Sequence, residues 1–108
     1  MTRLFGCPYL GATAELSAER ENHIAAIHPG TLPTYLEQLT NTLEDPDQVR
    51  SSDRNPDALL FSKWFDSICT GRCMVVVTIS DVPSSRHWII TAYTARKLAG
   101  GTSLWQKS

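Results

Sequence analysis

The segment Met74-Val75-Val76-Val77-Thr78-Ile79 constrains the fold more than any other. It is almost continuously apolar and β-branched, a composition that loses side-chain freedom in a helix and packs well on a pleated surface. A strand with one wet face would alternate apolar and polar residues; this one does not, so it belongs at the centre of a sheet.

The sheet needs neighbours, and the residues around this segment supply them. Residues 48–52 read as a short strand, Asn55-Pro56-Asp57 as a turn, residues 59–65 as a second strand, and Cys69-Thr70-Gly71 as another turn. After a turn over residues 81–86, residues 88–95 form the last expected strand. Strict alternation there sets Ile89, Thr91 and Tyr93 on one face, and Trp88, Ile90, Ala92 and Thr94 on the other.

The first half reads as helical. Ser17 is placed to cap a helix whose first turns carry Glu19 and Glu21, which complement the positive end of the helix dipole, and Ile24 and Ile27 give it an apolar side. Pro29-Gly30 stops it at His28. Thr31 can cap a second helix, with Pro33 in its first turn, and Leu32, Tyr35, Leu36, Leu39 and Leu43 repeat with the helical period before Asp45-Pro46-Asp47 turns the chain. Residues 1–12 show no periodicity and are expected to be an extended arm, with a short strand over 13–16. The expected architecture is α+β: two N-terminal helices packed on one face of a four-stranded antiparallel meander sheet, in a single domain spanning residues 1–108.

Composition narrows the function classes. No stretch approaches the roughly 20 apolar residues of a membrane-spanning helix, and no signal-peptide pattern opens the chain, so the expectation is a soluble, cytoplasmic protein with no membrane partner. Cys7, Cys69 and Cys73 are an odd set that suits a reducing compartment. Cys69 and Cys73 could bind zinc with His23 and His28, but the spacing matches no standard zinc pattern, and the expectation is no metal and no cofactor. Charge is uneven: residues 1–48 carry two basic groups against seven acidic ones, and the remainder eight against four. A basic half suits a polyanion on one face and equally suits a solvated surface.

Two of the three histidines lie in Glu19-Arg20-Glu21-Asn22-His23-Ile24-Ala25-Ala26-Ile27-His28-Pro29. Imidazole is the side chain that titrates near neutrality, so this run points to acid and base chemistry. The plainer readings stand beside it: a histidine before proline can be a C-cap, and His23 can be a packed residue between helix and sheet. On a regular helix the pair would be about 140° apart, so both can face one phosphate only if the helix ends before His28.

The order E-R-x-x-H-I-x-x-x-H-P, a leucine-patterned helix, D-P-D-x-V-R-S-S, the strand Leu60-Phe61-Ser62-Lys63-Trp64, the V-V-V strand and I-I-T-A-Y with a late Gly and Trp resembles the phage-associated members of the barnase, EndoU, colicin and RelE-like nuclease superfamily, over roughly residues 13–105. The resemblance implies a metal-independent endoribonuclease of toxin or phage-effector type. Matched position by position, it implies His23, His28, Arg50, Lys63 and Tyr93 as catalytic groups and Ser52 and Thr91 as substrate-binding groups, with RNA as substrate and a cognate inhibitor protein as partner. The reaction would be attack of the ribose 2'-OH on its own phosphate, which needs a base, an acid at the leaving 5'-oxygen, and cations on the phosphate oxygens. Two departures stand out: the chain is not basic overall, and Lys63 stands where arginine often occurs. The competing function is a non-catalytic RNA- or protein-binding module using the same sheet face. A nucleotide-handling enzyme has less support, since no Gly-rich phosphate loop or Walker pattern is present.

Overall fold

Residues 74–79 lie within β5 (Arg72–Asp81), the middle strand of the sheet, as their composition requires. The structure, a computed structural model, describes residues 2–32, 34–55, 57–68, 70–81, 84–97 and 100–107. The expected placements of Pro33 in a helical turn, and of Pro56 and Cys69 in turns, lie outside these residues, as do Val82 and Pro83 of the turn over 81–86.

Around β5 the chain builds β1 (Arg3–Cys7), β2 (Ala12–Leu16), α1 (Ala18–Ile27), α2 (Leu36–Glu44), β3 (Gln48–Ser51), β4 (Ala58–Phe65), β6 (Arg86–Ala95) and β7 (Thr102–Gln106). The strand order β1-β2-β6-β5-β4-β3-β7 makes one seven-stranded sheet, antiparallel except where β2 lies parallel to β6. This overturns the four-stranded antiparallel meander with two N-terminal helices. The helices follow a hairpin rather than opening the chain, the sheet is mixed, and β7 returns to pair with β3 at the far edge.

The two unexpected strands have physical reasons. In β1 only Phe5 and Cys7 reach the core, too short an alternation to register as a strand, so the expected arm is half of a hairpin. Its turn is closed by Leu10 N–H donating to Cys7 O (3.0 Å) and Gly11 N–H to Pro8 O (3.0 Å), with Gly11 at φ 66° where a side chain would be strained. Every residue of β7 is exposed, so no apolar pattern marked it.

The helices cover one face of the sheet, and Phe5, Cys7, Ala14 and Leu16 of the β1–β2 hairpin join the core beneath them. Ser17 Oγ accepts from Arg20 N–H (3.1 Å), and the His28 N–H closes α1 on Ile24 O (2.8 Å). Only Ile24 of α1 is buried, whereas Ile27, expected beside it, is 55% exposed. The second helix starts later than the leucine pattern suggested: Tyr35 N–H donates to Thr31 O (2.9 Å), and Tyr35 at the N-cap makes no side-chain cap bond. Leu32 still reaches the core with Leu39 and Leu43, each fully buried leucine contributing roughly 2 kcal/mol of transfer free energy. The hairpin turn crosses this layer, for the Tyr9 ring lies 5.8 Å from Phe61 and 6.2 Å from Trp105.

The opposite face carries a smaller apolar cluster of Ala58, Val75 and Val77, with Leu60, Ile79, Ile90 and Tyr93 against it. This face is not fully open. Gly100 and Gly101, just before β7, stand over its far side, beside Arg50, Ser51 and Leu60.

Candidate functional site

Register decides which side chains meet on the uncovered face, because residues directly opposite across strands share a face. One row runs Arg50, Leu60, Val77, Thr91 from β3 to β6; the next runs Gln48, Ser62, Val75, Tyr93. Arg50, Thr91 and Tyr93 are therefore brought to one face, together with Ser52, whose N–H continues the ladder to Ala58 O (3.1 Å). The β6 faces differ from strict alternation because Ile90 is an extra residue opposite the Val77/Thr78 step. This bulge turns Ile89 into the covered core and leaves Ile90, Thr91 and Tyr93 on the uncovered side.

A cleft of about 580 Å³ opens there, with Ala58, Leu60, Val77 and Ile90 as its apolar floor. Thr91 and Tyr93 form one wall, and Ser52, Asp53, Arg54 and Gly100–Gly101 the other. Three interstrand gaps separate the backbones of Arg50 and Thr91, roughly 14 Å.

The Gly100–Gly101 wall is clamped. Arg50 Nη1 donates to Gly100 O (2.9 Å), Gly101 N–H donates to Asp53 Oδ2 (2.9 Å), and a Cβ on Gly101 would strike the Ser51 carbonyl oxygen. Arg50 Nε also donates to Gln48 Oε1 (2.7 Å). Two of its five N–H groups are thus engaged, and three have no acceptor among the described residues. Ser52 Oγ accepts from Arg54 N–H (3.2 Å), which holds the exposed Arg54 at the rim.

Against Tyr93 of the opposite wall sits the His28 ring, 5.5 Å away centroid to centroid and tilted by 36°. His28 lies just past the last turn of α1, where chain geometry frees its side chain from the helical repeat. Burial pushes the Tyr93 phenol above its ordinary pKa, so it is a neutral hydrogen-bond donor and not a base.

Two expected site residues stand apart. His23 is exposed on α1, and no hydrogen bond or ring contact joins it to the cleft among the described residues. Lys63 faces the other side: its register partner is Met74, which is fully buried in the covered core. Its Nζ donates to Asp45 O (2.9 Å) and Asp45 Oδ2 (3.3 Å) and lies 3.6 Å from Asp47 Oδ1. Asp47 also accepts from Trp64 N–H (2.8 Å), and Lys107 Nζ donates to Asp45 Oδ2 (2.7 Å). Asp45-Pro46-Asp47 is thus a knot joining the end of α2 to β4 and the chain after β7. Lys107 first, and then Lys63, hold the Asp45 carboxyl below the usual carboxylate range.

Asp53, Arg54 and the Gly100–Gly101 pair were not singled out from the sequence. The polar run Ser51-Ser52-Asp53-Arg54-Asn55 and the doubled glycine were the available signals. Among the described residues no three His, Cys, Asp or Glu side chains gather as a metal site, and Cys69 of the zinc alternative is outside them. No helix of the described residues is long and apolar enough to cross a membrane. Comparison with known protein families, characterised proteins and solved structures finds no match to the chain.

Proposed function

We propose that the cleft binds RNA and cleaves it by 2'-OH transesterification, in the manner implied by the resemblance to the phage-associated barnase, EndoU, colicin and RelE-like nucleases. The observation that carries this reading is the meeting of Tyr93, Thr91 and Ser52 on one cleft, with the His28 ring against Tyr93 and the Arg50 guanidinium bonded to the Gly100 carbonyl of its wall. An imidazole, a neutral phenol and a guanidinium with spare donors are the groups that a phosphodiester undergoing internal attack requires.

In this reading the 2'-OH gives its proton to solvent water and its oxygen bonds to phosphorus as the bond to the 5'-oxygen breaks, leaving a 2',3'-cyclic phosphate and a 5'-hydroxyl. His28, just past the C-terminal end of α1 and against Tyr93, delivers the proton to the departing 5'-oxygen. The spare N–H groups of Arg50, with Arg54 at the rim, take the charge that grows on the phosphate oxygens. Tyr93 and Thr91 donate to the same oxygens or to the ribose. Cytoplasmic RNA is the substrate, and an inhibitor protein that covers the cleft protects the host.

One observation favours the non-catalytic alternative, in which the same face only holds RNA. A single imidazole adjoins the cleft, which leaves the base for the 2'-OH without a histidine. End-group analysis separates the two: in the presence of EDTA the protein should release fragments ending in 2',3'-cyclic phosphate, and Arg50→Ala should lower the rate about a hundredfold or more. Binding without any such product selects the module.

A further inference from the structure

We propose that Trp88, with Arg86 stacked on it, is a nucleobase subsite beside the cleft, so that the ligand is single-stranded RNA extending along β6 past the reacting phosphate. This rests on the proposed reading of the cleft only for the position of that phosphate; the subsite itself is defined by its own geometry.

Trp88 pairs with Ile79 across β5 and with Glu15 across β2, and Ile79 belongs to the apolar cluster of the uncovered face. The indole is therefore on the same side as Thr91 and Tyr93. Along the strand it is about 10 Å from Thr91, the reach of one or two nucleotides. The Arg86 guanidinium carbon lies 5.0 Å from the Trp88 ring centroid. Two bonds hold it there, Arg86 Nε to Glu15 Oε2 (3.0 Å) and Arg86 Nη2 to Glu15 Oε1 (2.9 Å).

An exposed ion pair of this kind adds little to stability, since Arg86 is 55% exposed. What the pairing does is fix a planar cation over a planar ring. Bases stack on guanidinium planes and indoles without preference for sequence, and an arginine already held by a carboxylate loses little freedom when a base joins the stack. The exposed Trp64, at the other end of the same face, is built differently. Its Nε1 donates to Asp66 (2.8 Å), its ring lies over Gly71, and no cation covers it among the described residues. The two tryptophans thus make a matched comparison.

The test uses the full chain with two sets of oligonucleotides. Non-cleavable 2'-O-methyl RNAs carrying one abasic residue at successive positions report binding by anisotropy, and the corresponding unmodified RNAs report cleavage. Wild type should lose about tenfold to a hundredfold in affinity at one abasic position. Trp88→Leu and Arg86→Ala should bind the intact RNA more weakly and respond equally to every abasic position, while Trp64→Leu behaves as wild type. Arg86 is exposed, so its variant tests the subsite even if Trp88→Leu unfolds. A flat abasic profile in wild type, an unchanged profile in Arg86→Ala, or no binding of any oligonucleotide overturns the subsite. Position-dependent binding without cyclic-phosphate product keeps the subsite and removes the nuclease reading; cleavage with a flat profile does the reverse.

Discussion

Gly101→Ala and Gly100→Ala should differ sharply although both residues have nearly the same φ, 77° and 78°. The left-handed region costs alanine about 1 to 2 kcal/mol in either position. At Gly100 the added methyl meets only the Asp53 carboxylate at 3.2 Å, and that side chain can rotate. At Gly101 it meets the Ser51 carbonyl oxygen, a backbone atom held in β3 between two other strands. Relief then requires the turn to lift, which breaks the Gly101 N–H bond to Asp53 and strains the adjoining Ser51 and Thr102 pairing, about 1 kcal/mol for each bond lost. The expected destabilisation is about 1 kcal/mol for Gly100→Ala and about 3 kcal/mol for Gly101→Ala, read from urea unfolding midpoints at a common slope. Gly101→Ala should also weaken RNA binding, because the wall carrying Gly100 O is what aims the Arg50 guanidinium. Equal losses of stability in the two variants would refute the argument that close backbone approach fixes this wall.

Thr78→Val should stabilise the protein by about 1 kcal/mol in the same assay, since Thr78 Oγ1 is buried and has no hydrogen-bond partner among the described residues. Lys63→Met should lower stability and leave RNA cleavage per folded molecule unchanged, because Lys63 serves the Asp45 and Asp47 knot and not the cleft; equal loss of cleavage in Lys63→Met and Arg50→Met would contradict that division. The depressed pKa of Asp45 means that the folded state binds its proton less readily than the unfolded chain. Its contribution to stability is present above the unfolded carboxylate value and is lost as pH falls through the folded one, so Asp45→Asn should flatten the acid limb of a stability–pH curve.

How much of this was legible in the sequence varies with the kind of signal each element carries. The β5 segment declared itself because burial on both faces leaves only apolar residues, and Ser17 and Pro29-Gly30 marked α1 by local chemistry alone. β1 pairs locally with β2 and was missed because only Phe5 and Cys7 of it are buried, and β7 was missed for the opposite reason to β5: an edge strand is recognised by what it pairs with, and β3 lies about fifty residues from β7. Pairing at that separation leaves no periodic trace. The site was legible in the same uneven way. Arg50 and Tyr93 fell on one face by register, whereas Lys63 was misplaced because no local pattern tells which face of β4 its side chain takes. The bulge at Ile90 shifted the β6 faces by one residue, a change that depends on the pairing with β5 and not on the residues of β6. The choice between His23 and His28 required knowing where α1 ends relative to the sheet.

That choice is also the most direct measure of the account. In a single assay of cyclic-phosphate release from RNA, wild type and His23→Ala should be active, and folded His28→Ala should be slower by about a hundredfold or more. Undiminished cleavage by His28→Ala, or no product from wild type, would contradict the assignment of the cleft as the place where RNA is cut.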